Sequence, residues 1–163
     1  ICIPAKIMDE KGQAKMMMSL ELAIDNDNIK RGLMYRNYLA PQGGMIFIFQ
    51  PPEKTAMWMK NTLIPLDMVF VGQNEMVLNV HRGAKPHDLT PIWSEGVAQY
   101  VIELQAGAID RYGLATEEHL PSHLTPGRST TGARGQEDHS CALPGHFEAQ
   151  RTPPRSCRSE LTQ

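Results

Sequence analysis

Cysteine is scarce, with three residues in 163, at positions 2, 141 and 157. An odd number at such wide spacing matches neither a dense disulfide scaffold nor a zinc module with paired ligands. Charge of one sign is also missing: 16 basic residues stand against 18 acidic ones. No net positive field draws a phosphate backbone and no local basic patch stands out, so nucleic acid is not an expected partner. No apolar run reaches the roughly 18 residues of a spanning helix, so no membrane span is expected in the chain as given. The sequence opens on Ile1 rather than Met, which places any leader outside what is read. Catalytic signatures are lacking too, with no Ser/His/Asp order, Walker loop, dinucleotide-binding glycine motif or HExxH helix. His81, His87 and Asp88 carry suitable donor atoms, but not at the spacing of a compact metal motif. No metal and no cofactor is therefore expected.

Composition changes near His119. Between 120 and 163 the large apolar residues are only Leu120, Leu124, Leu143, Phe147 and Leu161, scattered among Pro, Gly, Ser, Thr and Arg. Such a segment buries too little surface to offset an ordering entropy of about 1–2 kcal/mol per residue. The expectation is one β domain over 1–119 and a disordered tail over 120–163, with the tail arginines solvated.

Within 1–119 the signals are short strands and turns. Lys15 to Leu22 reads as a strand, and Met16, Met17 and Met18 read as core filler rather than copper ligands. Asp25-Asn26-Asp27-Asn28 has N-cap chemistry, and Ile29 with Leu33 and Met34 predicts a short helix from about Asp27 to Tyr35. Gly32 weakens that helix and suggests close packing against another backbone. Met45 to Phe49 reads as a buried strand broken by Pro51-Pro52, with extended structure resuming from Lys54 to Met59. Further strands are expected at Leu66 to Val71, Met76 to His81 and Gln99 to Leu104. A long loop covers Arg82 to Gly96, and a short helix lies around Ile109 to Tyr112. The fold class expected is mainly β: a compact antiparallel sandwich or partly closed barrel with one or two short helices.

The most distinctive segment is Trp58-Met59-Lys60-Asn61-Thr62, followed by Ile64-Pro65-Leu66-Asp67. Together with Arg31-Gly32-Leu33-Met34, Gly44-Met45-Ile46-Phe47 and Tyr100-Val101-Ile102-Glu103-Leu104, it resembles the family called domain of unknown function 192. The resemblance covers about Lys15 to His119. It implies a compact β-rich, jelly-roll-like domain, found mostly in bacterial and archaeal proteins and frequently exported or periplasmic, and it implies no known activity.

Alternation places Ala56, Trp58 and Lys60 on one side of their strand, and Asp67, Val69 and Val71 on one side of the next. If the loop sets Lys60 opposite Asp67, the two form an ion pair beside the indole. In a purely structural reading, Trp58 is a core or rim aromatic, Lys60 snorkels, and Asn61 and Asp67 cap the turn. Trp58, Lys60, Asn61 and Asp67 are the candidate ligand-binding residues, with Arg31 and Arg36 as candidates for an anionic group. An aromatic plane beside a cation and an amide suits a small anionic or sugar-like ligand. The leading expectation is a non-enzymatic binding or accessory domain. The alternatives are a hydrolase or transferase using Asp67 as general acid or base with Lys60, and an interaction module presenting a sheet edge.

Overall fold

The computed structural model describes residues 1–9 and 11–114, so the tail expected over 120–163 lies outside the described residues. Among the described residues, eight strands and two short helices follow in the order β1 (Cys2–Met8), β2 (Ala14–Ala23), α1 (Asn26–Arg31), β3 (Gly43–Glu53), β4 (Ala56–Met57), β5 (Leu66–Gly72), β6 (Val77–Ala84), β7 (Ile92–Trp93), β8 (Ala98–Gln105) and α2 (Ala108–Tyr112). Six strands form one mixed sheet ordered β1-β2-β3-β8-β5-β6, and β4 pairs with β7 in a two-stranded ribbon. The mainly β expectation holds, with two refinements. β2 and β3 run parallel, and β1 and β6 are unjoined edges, so the sheet is not closed into a barrel.

The parallel pair follows from α1. Parallel neighbours need a crossover rather than a hairpin, and α1 with the loop after it supplies one. Asp25 begins the helix by accepting from the Asn28 N–H at 2.9 Å. Gly32 ends it rather than sitting inside it: at φ 47° its N–H returns to the Asn28 carbonyl. The helix is therefore shorter than the sequence suggested.

Strand alternation builds a core on each face of the sheet. Met16 and Met18 are buried while Met17 is exposed, a period of two that puts the methionines to work as packing. One face gathers Ala5, Ile7, Met16, Met18 and Leu20 with Ile46, Ile48, Val69, Val71, Ile102 and Leu104, closed by Ile109 of α2. The other gathers Met45, Phe47 and Phe49 with Leu66, Met68, Phe70 and Val101, covered by Leu33, Leu39 and Met59. Three central strands, β3, β8 and β5, are thus buried on both sides. β1, unread in the sequence, shows the same alternation at Ala5 and Ile7, with Pro4 exposed on an edge strand where its missing N–H is tolerated. Pro51-Pro52 does not stop β3. The extended chain continues to Glu53 and the ladder to β8 skips from Ile48 to Glu53, a gap that contains the two prolines, which have no N–H to donate. Among the described residues no helix is long and apolar enough to cross a membrane.

Candidate functional site

The Trp58–Thr62 segment is a clamped corner rather than a strand end. β4 covers only Ala56–Met57, and the chain then turns around Met59, which is buried while Trp58 remains about half exposed. Asn61 takes a left-handed conformation, φ 54°, as does Tyr35 facing it, φ 63°. The two are tied twice: the Tyr35 N–H donates to the Asn61 carbonyl at 2.9 Å, and the Asn61 side-chain amide donates to the Tyr35 hydroxyl at 2.8 Å. On the other side the Met59 N–H donates to the Asp88 carbonyl and the His87 N–H to the Thr62 carbonyl. Asn tolerates this backbone because its short polar side chain competes well in αL. The corner is thereby fixed between the loop after α1 and the loop after β6.

Fixing the corner places Lys60 over Trp58, with its ammonium 5.1 Å from the ring centroid, a cation–π contact. It does not place Lys60 against Asp67. Asp67 points to the opposite face of the sheet, where its Oδ1 accepts from the Gly83 N–H at 2.8 Å and its Oδ2 from the Ile109 N–H at 2.9 Å. α2 begins at Gly107 with no side-chain cap of its own, so Asp67 serves as that cap from a neighbouring strand. The side chain is buried and each oxygen accepts a main-chain N–H on the face away from Lys60, so the geometry offers no acid–base pairing of Asp67 with Lys60. Arg36 is also engaged elsewhere. Its guanidinium forks onto Glu21, the second contact at 2.6 Å, joining the loop after α1 to β2.

A cleft of about 450 Å³ opens beside the corner. Lys30, Arg31 and Gly32 form one wall, Trp58, Lys60 and Asn61 the other, and Phe47, Phe49 and Glu103 the floor. Four of the six candidate residues, Arg31, Trp58, Lys60 and Asn61, are therefore brought together, whereas Asp67 and Arg36 are not. Gly32 keeps the way open, since a Cβ there would stand 3.1 Å from the Phe47 ring and 3.9 Å from Glu103 Oε2. The close approach is thus to an aromatic ring rather than to backbone.

Glu103 is the residue that sequence reasoning did not single out. It is only 4 % exposed and sits in the sheet between Met45 of β3 and Met68 of β5. Among the described residues no hydrogen bond or ion pair reaches its carboxyl. Burial alone pushes it up to about 8 from an ordinary 4.5, because the charged form is disfavoured without water or a partner. At neutral pH the floor of the cleft therefore carries a neutral carboxylic acid that can donate a hydrogen bond. The signal was present: one acid inside the apolar run Tyr100-Val101-Ile102-Glu103-Leu104.

A second cleft of about 390 Å³ lies between His81, Lys85, Asp88 and Trp93. Asp88 is held below the usual carboxylate range by hydrogen bonds from Thr90. Among the described residues no group of three His, Cys, Asp or Glu side chains is disposed to hold a metal ion.

The sequence profile of the DUF192 family, described as an uncharacterised ACR, matches residues 7–121. A protein of unknown function from Novosphingobium aromaticivorans DSM 12444 has a similar solved structure, with 33 % identity and a TM-score of 0.70 over 74 % of this chain and 84 % of that one. A protein from Sinorhizobium meliloti 1021, described as a proposed transcription regulator, is 35 % identical with a TM-score of 0.71, over 74 % of this chain and 93 % of that one. Among curated proteins none matches.

Proposed function

The chain belongs to the DUF192 family, whose function is uncharacterised, and from the cleft we propose that it is a non-enzymatic binding or accessory domain for a small anionic or sugar-like ligand. One observation carries this reading. Segments far apart in sequence, the end of α1, the middle of β3, the Trp58–Thr62 corner and Glu103 of β8, converge on one cleft whose floor holds the buried carboxyl of Glu103, without a partner among the described residues. Burying an unpaired polar group costs on the order of 1–3 kcal/mol, and native structures leave few of them. Arg31 and Lys60 likewise have no carboxylate partner among the described residues. Two cations at the rim favour an anion, and the exposed part of the Trp58 indole offers an apolar plane for a ring.

Thermal-shift screening of small acids and sugars tests the reading, run on the wild type, Trp58→Ala and Lys60→Ala. A ligand that stabilises the wild type and loses its effect in both variants supports it; the same response from all three proteins removes the corner from consideration. Export of the protein, which the family resemblance suggests, would put the cleft before solutes outside the cytoplasm, and fractionation of the source cells checks it.

A further inference from the structure

We infer that Glu103 is the specificity-determining group of this cleft, donating a hydrogen bond from its neutral carboxyl to a hydroxyl or ring oxygen of a ligand whose carboxylate is held by Lys60 and Arg31, which makes the ligand class a sugar acid. The inference rests on the binding role proposed above and names what the same cleft selects. Glu103 is more than nine-tenths buried and lacks a partner among the described residues. It lines the cleft at the floor, beneath the bare position at Gly32. A neutral acid there offers one O–H donor together with acceptor capacity, the pairing that a sugar hydroxyl satisfies in both directions.

The remaining surroundings fit the other end of such a molecule. The charged groups lining the cleft are Lys30 and Arg31 from the α1 side and Lys60 from the corner. The neighbouring strands bring only Met45 and Met68 beside Glu103. Three cations facing one neutral acid leave the cleft with net positive charge, which favours an anionic ligand over a neutral sugar. Phe47, Phe49 and Trp58 add apolar and aromatic wall area for the carbon face of a ring. A cleft of about 450 Å³ falls at the small end of ligand sites, which run from about 300 to 1,000 Å³.

Because the donor is a carboxylic acid, binding should depend on pH in one direction. The proton that Glu103 donates is lost above about pH 8, and affinity should then fall by up to about tenfold per pH unit. Titration calorimetry with D-glucuronate, D-glucose and acetate at about pH 6.5 and about pH 9 tests this on the wild type, Glu103→Gln, Glu103→Leu and Trp58→Ala. Glucuronate should bind the wild type more tightly than either glucose or acetate at the lower pH and weaken by about tenfold at the higher. Glu103→Gln, which keeps a neutral donor at both pH values, should lose that pH dependence, and Glu103→Leu should bind weakly at both. No glucuronate binding by the wild type, or tighter binding of acetate, overturns the ligand class. Glucuronate affinity that is lost in Trp58→Ala but unchanged by pH and by Glu103→Leu overturns the role of Glu103 while leaving the cleft as the binding site. Affinity that Trp58→Ala leaves intact overturns the cleft reading itself.

Discussion

Two buried carboxylates a single register step apart have opposite fates. Asp67 lies opposite Leu104 in the β5–β8 ladder and Glu103 opposite Met68, and strand alternation sends them to different faces. Asp67 meets two main-chain N–H donors and Glu103 meets none. For Asp67→Asn we expect a loss of about 2 kcal/mol in urea denaturation, since the amide NH2 faces an N–H where a carboxylate oxygen accepted. A change below about 0.5 kcal/mol would show that the two contacts are dispensable. Glu103 yields a pH prediction instead. Its folded value is raised, so the folded state holds more protons than the unfolded one between about 4.5 and 8. Stability from this group is full below that window and declines as pH rises through it, by a few kcal/mol in order of magnitude. Relative to the wild type, Glu103→Gln should gain stability from about pH 5 to about pH 9, and parallel pH profiles for the two proteins would contradict this. The capping role of Asp67 was legible in its residue type, but its partners were not. Both donors come from segments distant in sequence, and no local pattern announces them.

Elements were legible where periodicity is local and obscure where topology decides. β5, β8 and both helices lie where apolar spacing and turn residues put them, within a few residues. The parallel β2–β3 pair was not read, although its cause was in view, because a helix between two strands is a crossover only once the strands are known to be neighbours. The two-residue β4 was mistaken for a longer strand. Trp58 and Lys60 meet through a turn, not through a shared strand face. Gly32 shows how an element boundary serves the site. Its positive φ disfavours any Cβ, and a branched side chain there would crowd the Phe47 ring. Gly32→Val should therefore destabilise by about 2–3 kcal/mol, more than helix propensity alone provides. Equilibrium denaturation indistinguishable from the wild type would show that the α1 terminus moves freely away from β3. Gly44 is tighter still: a Cβ would lie 2.5 Å from the Glu103 carbonyl and 2.8 Å from Leu20, so the glycine of the Gly44-Met45-Ile46-Phe47 motif is fixed by the approach of β8.

At the scale of the molecule, one sheet separates a supporting face from a binding face. α2, capped by Asp67, closes the first, and the corner of Trp58 to Thr62 with the end of α1 closes the second. The family resemblance gathered its motif residues along the chain without saying which face each would take, and only the sheet order divides them. The division has an energetic consequence. Trp58 is 47 % exposed, so Trp58→Ala gives up about half of a large side chain's burial and should lower stability by about 1–2 kcal/mol, while Asp67→Asn should lower it by about 2. The two side chains share no partner and lie across three strands that are packed on both sides, so their effects should add within about 0.5 kcal/mol in the double variant. Ligand affinity should follow Trp58 alone and stay unchanged in Asp67→Asn. A coupling above about 1 kcal/mol, or a loss of affinity in Asp67→Asn, would mean that β5 and β8 transmit displacement through the sheet, and the cap of α2 would then set the geometry of the cleft.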